Sequence, residues 1–266
     1  MLIDTHCHLD AAEFDADRAE VARRAAAGGV ALIVIPAVKA AHFDAVRGLA
    51  ASEPGLRYAL GIHPLCATAA GDGDLRRLRQ ALASAIDDPR LVAVGEIGLD
   101  FFESGHDRQR QADVFSEQLR IARDFDLPVL MHVRRAQDQV LKQLRRFRPC
   151  SGIAHAFNGS RQQAEQFIGL GMALGFGGAM TFDRARQIRR LATELPAEAH
   201  VLETDAPDIP PEWINHRRNE PAELPRIAAV FAQLRGIDVD EAAAQTGGNA
   251  CRVLPRLRAA AGPAAP

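Results

Sequence analysis

Short apolar runs alternate with longer amphipathic stretches along all 266 residues. The runs are Leu2 to Thr5, Val30 to Ile35, Arg57 to Gly61, Leu91 to Gly95, Leu127 to Val133, Gly152 to Ala156, Met172 to Phe176 and His200 to Glu203. Each has the length of a strand. Between them the apolar positions recur at helical spacing, as in Phe115, Leu119 and Ala122, in Val140, Leu144 and Phe147, and in Leu224, Ile227, Phe231 and Leu234. The punctuation agrees: Gly28-Gly29 closes the first helix, Ser160 with Gln163 reads as a capping box, and Gly236 ends a helix before Asp238. Eight such units predict an α/β fold, a (β/α)8 TIM barrel in a single domain over residues 1–258, with 259–266 as a frayed tail. Strand seven is the weakest, because glycines crowd "GMALGFGGAM". An open doubly wound sheet is the runner-up, and the lack of a G-x-G-x-x-G after the first strand weighs against it.

Composition narrows the surroundings. A net charge of −2 gives no broad basic field, so extensive wrapping of nucleic acid is disfavoured and any such partner would be held at a pocket. The four cysteines lack C-x-x-C spacing and no export signal precedes Asp4, which suits a reducing cytoplasm. No apolar run approaches membrane-spanning length, and no obligate protein partner is evident.

In a barrel the chemistry sits where the strands exit at their C-terminal ends. His6 and His8 stand there on strand one, two residues apart, so they leave one face while Cys7 leaves the other. Strand three offers His63, strand four Glu96, strand five His132, strand six His155 and strand eight Asp205. Taken singly, each has an ordinary reading as a core imidazole, a loop charge or a turn former. Jointly they would place several imidazoles and two acids at one rim, which is costly without a compensating positive charge. A metal supplies it. Without His63 the set is four imidazoles and two carboxylates, and six ligands exceed what one tetrahedral cation takes, so the economical arrangement is two divalent ions bridged by a carboxylate, and Glu96 lies between the halves of the set. A carboxylated lysine is not expected as the bridge, because Lys39 and Lys142 both fall in helical stretches.

The ordered fragments "IDTHCHLD" (3–10), "GIHP" (61–64), "GEIGLDFF" (95–102), "LPVLMHVR" (127–134), "HAFNGS" (155–160), "LETDAP" (202–207) and "RRNEP" (217–221) resemble the TatD family of metal-dependent deoxyribonucleases, within the amidohydrolase-like barrels. The resemblance covers essentially the whole chain. It implies that His6, His8 and Asp205 hold one metal, His132 and His155 the other, and Glu96 both, with His63, Arg134 and Asn219 facing substrate. It also implies cleavage of single-stranded DNA from its 3′ end, with a water activated by the cations, Asp205 taking its proton, and Arg134 and the second metal neutralising the developing charge. Mg, Mn and Zn all remain open. Leu65 stands where many members carry a second histidine, and Phe101 and Phe102 where a tyrosine is common. The alternatives are hydrolysis of a carbon ester, lactone or amide by the same apparatus, and a metal-binding scaffold without catalysis.

Overall fold

The computed structural model describes residues 1–214 and 217–260. Eight strands follow one another in chain order: β1 (Leu2–Asp4), β2 (Val30–Pro36), β3 (Leu56–Leu60), β4 (Leu91–Asp100), β5 (Val129–Arg134), β6 (Gly152–Ala154), β7 (Met172–Phe176) and β8 (His200–Leu202). All paired neighbours are parallel, in the order β1 to β8. The seam between the last strand and the first is joined beyond the strand ends: Thr5 N–H donates to the Leu202 carbonyl at 3.1 Å and Asp205 N–H to that of His6 at 2.8 Å. The sheet is therefore a nearly closed barrel and not an open wound layer. β7 forms despite its glycines, and one of them is required, since a Cβ on Gly175 would lie 2.2 Å from the Glu203 carboxylate. Of the expected tail, Ala259 and Ala260 still belong to the helical segment Pro255–Ala260, and 261–266 lie outside the described residues.

Strand alternation sorts the core into two layers. Ile3, Leu32, Val34, Ala59, Val92, Leu130, Ile153, Ala173 and Val201 form one buried cluster inside the barrel, closed at its lower end by Val253, Leu254 and Leu257. Their strand neighbours Leu2, Ile33, Ile35, Leu56 and Leu91 pack outward against the helices, with Phe115, Leu144 and Phe231. The three expected helix ends form: Gly28 follows the first helix, Arg18–Ala27, Ser160 Oγ accepts from Gln163 N–H at 3.1 Å, and Gly236 takes the left-handed conformation, φ 67°, that ends a helix. No described helix is long and apolar enough to cross a membrane.

Three local expectations are amended. β1 ends at Asp4, so His6 and His8 lie just past the strand and not on it. β4 runs on to Asp100 instead of stopping at Gly95, and its register against β5 shifts between Val94 and Ile97, a bulge that re-aims Glu96 within the strand. Lys39 is not helical: β2 continues through Pro36, and Lys39 is extended (φ −154°, ψ 157°) in the loop that follows, with its side chain exposed.

Candidate metal centre

The upper end of the barrel is polar because six of the eight strands deliver imidazoles or carboxylates there, β1 two and β3, β4, β5, β6 and β8 one each. Glu96 is the hub, buried to 1% exposure. Its Oε1 lies 2.8 Å from His155 Nε2, 3.0 Å from His132 Nδ1 and 3.5 Å from His63 Nε2. Its Oε2 lies 3.3 Å from His8 Nε2 and 3.4 Å from His6 Nε2. The Asp205 carboxylate approaches the second group, with Oδ1 3.6 Å from His6 Nε2 and 3.8 Å from His8 Nε2. The structure thus brings His6, His8, His63, Glu96, His132, His155 and Asp205 into one cluster. Cys7 is turned into the apolar core. A cavity of about 710 Å³ opens above the cluster, with Arg134, Phe102, Asn158 and Ile209 on its walls.

One residue of the cluster and one beside it hold strained backbone. Asp205 has φ 54° and Ala156, after His155, has φ 43°. Such left-handed residues persist where surroundings over-determine them. At Asp205 the amide is tied to the His6 carbonyl, and Ala156 N–H donates to the Glu203 carboxylate.

Charge balance is tight. Burial alone would raise the Glu96 carboxyl, but the imidazoles of His63, His155 and His6 and the hydrogen bond from His132 hold it well below the carboxylate range. Burial opposes charge on His155, yet Glu96 and Asp205 raise it to about 10; for His8 the same opposition ends at about 9. Burial raises Asp205 despite His155 and His8. The buried acids are thus balanced by protonated imidazoles. A divalent cation would replace those protons, which couples its affinity to pH.

The donors fit such ions. Glu96 Oε2, His6 Nδ1 and His155 Nδ1 are buried with no hydrogen-bond partner among the described residues. Three sets have ligand atoms within 4.8 Å of one another: His6, His8 and Glu96; His6, His155 and Asp205; and His63, Glu96 and His132.

Ring nitrogens separate the two histidines of the last set. His132 Nε2 lies 2.9 Å from Asp100 Oδ2, so the neutral ring keeps its proton there, and Nδ1, which in the protonated ring donates to Glu96, is the nitrogen left to hold a cation. His63 is the reverse, because its Nδ1 accepts from Leu65 N–H at 3.2 Å, which leaves Nε2 as the protonated nitrogen of the neutral ring. His63 therefore presents an N–H, 3.2 Å from His132 Nδ1 and 3.5 Å from Glu96 Oε1, whereas His132 presents a ligand nitrogen.

Arg134 is on the cavity wall, 47% exposed, with its guanidinium 3.1 Å from Glu103 Oε1 and 3.8 Å from the centre of the Phe102 ring. Asn219 departs from expectation. It is fully buried, its Nδ2 donating to the Thr204, Asp208 and Ile209 carbonyls and its Oδ1 accepting from Glu220 N–H, so both ends of the amide are spent on the loop after β8. It positions that loop and does not reach substrate.

Sequence reasoning passed over three buried acids. Asp100 fixes His132. Asp4 accepts from His6 N–H, Thr204 N–H and Thr204 Oγ1, and burial pushes its carboxyl up to about 7 against those bonds. Glu203 supports Ala156 and lies 3.9 Å from His155 Nδ1, and burial pushes its carboxyl up to about 8. Each sits inside or beside an apolar strand run, two to four residues from a cluster side chain, and an acid in that position was the available signal.

Comparison with known proteins agrees with this geometry. The TatD related DNase family profile matches residues 3–255. The uncharacterized metal-dependent hydrolase YjjV of Escherichia coli strain K12 is 41% identical over 91% of this chain and 93% of its own length. The 3′-5′ ssDNA/RNA exonuclease TatD of Erwinia tasmaniensis is 34% identical over 95% of this chain and 99% of its own. The crystal structure of the E. coli YjjV protein superposes with a TM-score of 0.91 at 39% identity, covering 96% of this chain and 98% of that one. With the eightfold barrel and the clustered imidazoles and carboxylates at its upper end, the match over nearly the full length makes this chain a metal-dependent hydrolase of the TatD family.

Proposed function

We propose that this hydrolase removes nucleotides from the 3′ end of single-stranded DNA, using two divalent cations. The observation that best supports this reading is the division of Glu96, whose two oxygens face separate groups of imidazoles. One cation would be held by His6, His8 and Asp205, the other by His132 and His155, with Glu96 common to both. Bound there, the cations supply Lewis acidity toward a phosphoryl oxygen and a water of lowered pKa.

The chain's own groups supply the rest. Asp205, between the cluster and the cavity, takes the proton of the attacking water. His63 Nε2–H, which faces His132 Nδ1 at 3.2 Å, would donate to a phosphoryl oxygen once a cation holds that His132 nitrogen. Arg134 adds positive charge on the cavity wall, where Glu103 and the Phe102 ring orient it. The cavity has the size of a small-ligand site and suits an inserted strand end better than a duplex. The exonuclease name of the Erwinia relative favours the same substrate.

The test is digestion of end-labelled single-stranded DNA by chelated protein reloaded separately with Mg, Mn and Zn. Stepwise shortening from the 3′ end is expected. Internal cuts, shortening from the 5′ end, or turnover confined to lactones and carboxylic esters would overturn the assignment.

A further inference from the structure

Two grooves leave the main cavity on different sides, and they carry opposite charge. One, of about 520 Å³, passes His8 and His63 toward the loops after β1 and β8 and is lined by Asp10, Glu13, Asp15 and Asp208. The other, of about 570 Å³, shares Asn158, Ala179, Ile188 and Ile209 with the cavity and continues past Phe182 to Arg184 and Arg186.

The second groove has the chemistry of a single-strand track. The Arg184 guanidinium lies 5.2 Å over the centre of the Phe182 ring. Arg184 and Arg186 form no ion pair among the described residues, whereas the nearby Arg189 and Arg190 are matched by Asp183 and Glu194. Uncommitted guanidinium groups beside an aromatic face suit alternating phosphates and bases, because phosphates take the charge and any base can stack on the ring. The acidic groove has the opposite preference. Arg18 pairs with Asp15 and His42 lies 3.8 Å from Asp10, but Glu13 and Asp208 form no ion pair among the described residues, so a nucleoside with no phosphate beyond it is favoured on that side.

We propose that the polynucleotide runs from the metal cluster along the Phe182–Arg184–Arg186 groove, with the terminal nucleoside on the acidic side. The proposal rests on the nuclease reading above and adds a direction to it: the chain has one phosphate-bearing exit, which confines attack to a strand end.

Binding separates this from the nuclease reading. The metal-loaded protein is titrated with a fluorescent, nuclease-resistant phosphorothioate oligothymidylate of about twelve nucleotides, and with a dinucleotide, over a range of salt concentrations. In Arg184→Ala/Arg186→Ala, long-oligomer affinity is expected to fall about tenfold or more and the slope of log K against log salt to shrink by about 1.4, for two lost phosphate contacts at 0.7 each. Dinucleotide binding should change much less. The Arg184→Lys/Arg186→Lys protein should retain most of the salt slope, and an unchanged melting temperature excludes a folding defect. A parent protein that does not bind the oligomer, or a double alanine variant with unchanged affinity and salt slope, overturns the track. Failure of the parent to shorten a cleavable strand while binding still follows the two arginines would remove the nuclease reading and leave the groove as a nucleic-acid site.

Discussion

Asp100 Oδ2 lies 2.9 Å from His132 Nε2, and this contact selects the ring nitrogen that His132 turns toward Glu96. Asp100 is itself fixed by the amides of Phe102 and Glu103, at 2.9 and 3.1 Å on its other oxygen. Although burial opposes its charge, the hydrogen bond from His132 and the two amides hold its carboxyl below the ordinary range. Asp100→Asn keeps the shape but offers an amide that can present either a donor or an acceptor to the ring. Metal affinity should fall about 10- to 100-fold while the circular dichroism spectrum is kept. A titration with undiminished affinity would show that His132 is oriented without Asp100.

Glu96→Gln removes the one negative charge placed between the two groups of imidazoles. If two cations share it, their mutual repulsion then weakens both sites together. Elemental analysis should find two divalent ions per chain in the parent, about one in His132→Ala and less than one in Glu96→Gln. A parent that saturates at one ion would replace the two-cation reading with a mononuclear one.

Asp205→Asn should retain the barrel, because the Asp205 amide and not its carboxylate makes the bond to the His6 carbonyl. Turnover should drop by roughly 10² to 10⁴, the usual contribution of a general base. A near-parental rate would exclude Asp205 as the proton acceptor.

His200 gives the protein an acid sensitivity unrelated to catalysis. It is fully buried between the rings of Phe176 and Phe231, and burial, reinforced by Arg235, lowers its pKa from 6.5 to about 4. The unfolded chain therefore binds a proton below pH 6.5 that the folded chain refuses until about pH 4. This contribution to stability is complete above pH 6.5 and is lost as the pH falls toward 4, at a cost of about 3 kcal/mol. Urea unfolding of the parent and of His200→Gln across that interval should show the shallower pH dependence in the variant. Equal slopes would rule His200 out as the source.

Most of the barrel was legible because a parallel strand buried on both faces writes itself as a short unbroken apolar run. β4 was read short for the same reason: Gly95, Glu96, Gly98 and Asp100 interrupt its apolar run, although the backbone stays paired with β5 as far as Asp100 opposite Arg134. The cluster was legible because imidazoles and acids at strand exits are costly unless they serve a common ion. The residues behind it were not, since Asp4 and Asp100 act through hydrogen bonds whose partners are fixed only by three-dimensional packing. Asn219 shows the reverse error. A polar residue in a loop resembles a surface contact in sequence, yet here the loop folds over it and consumes its amide. The distinct parts played by His63 and His132 depend on which ring nitrogen each backbone or carboxylate neighbour claims, and sequence carries no trace of that.

The seam between β8 and β1 also sets an order of events during synthesis. Asp4 and Thr204, joined by side-chain bonds at that seam, are 200 positions apart. At about 5–20 residues per second, roughly 10–40 s separate the emergence of the first histidines from that of Asp205. Throughout that interval His6 and His8 follow an edge strand whose β8 partner does not yet exist, and a pair of imidazoles alone makes a weak, unselective ligand. The full donor set first exists when the ring of strands closes. Cation choice is therefore made by the closed ring of strands and not by its first histidines.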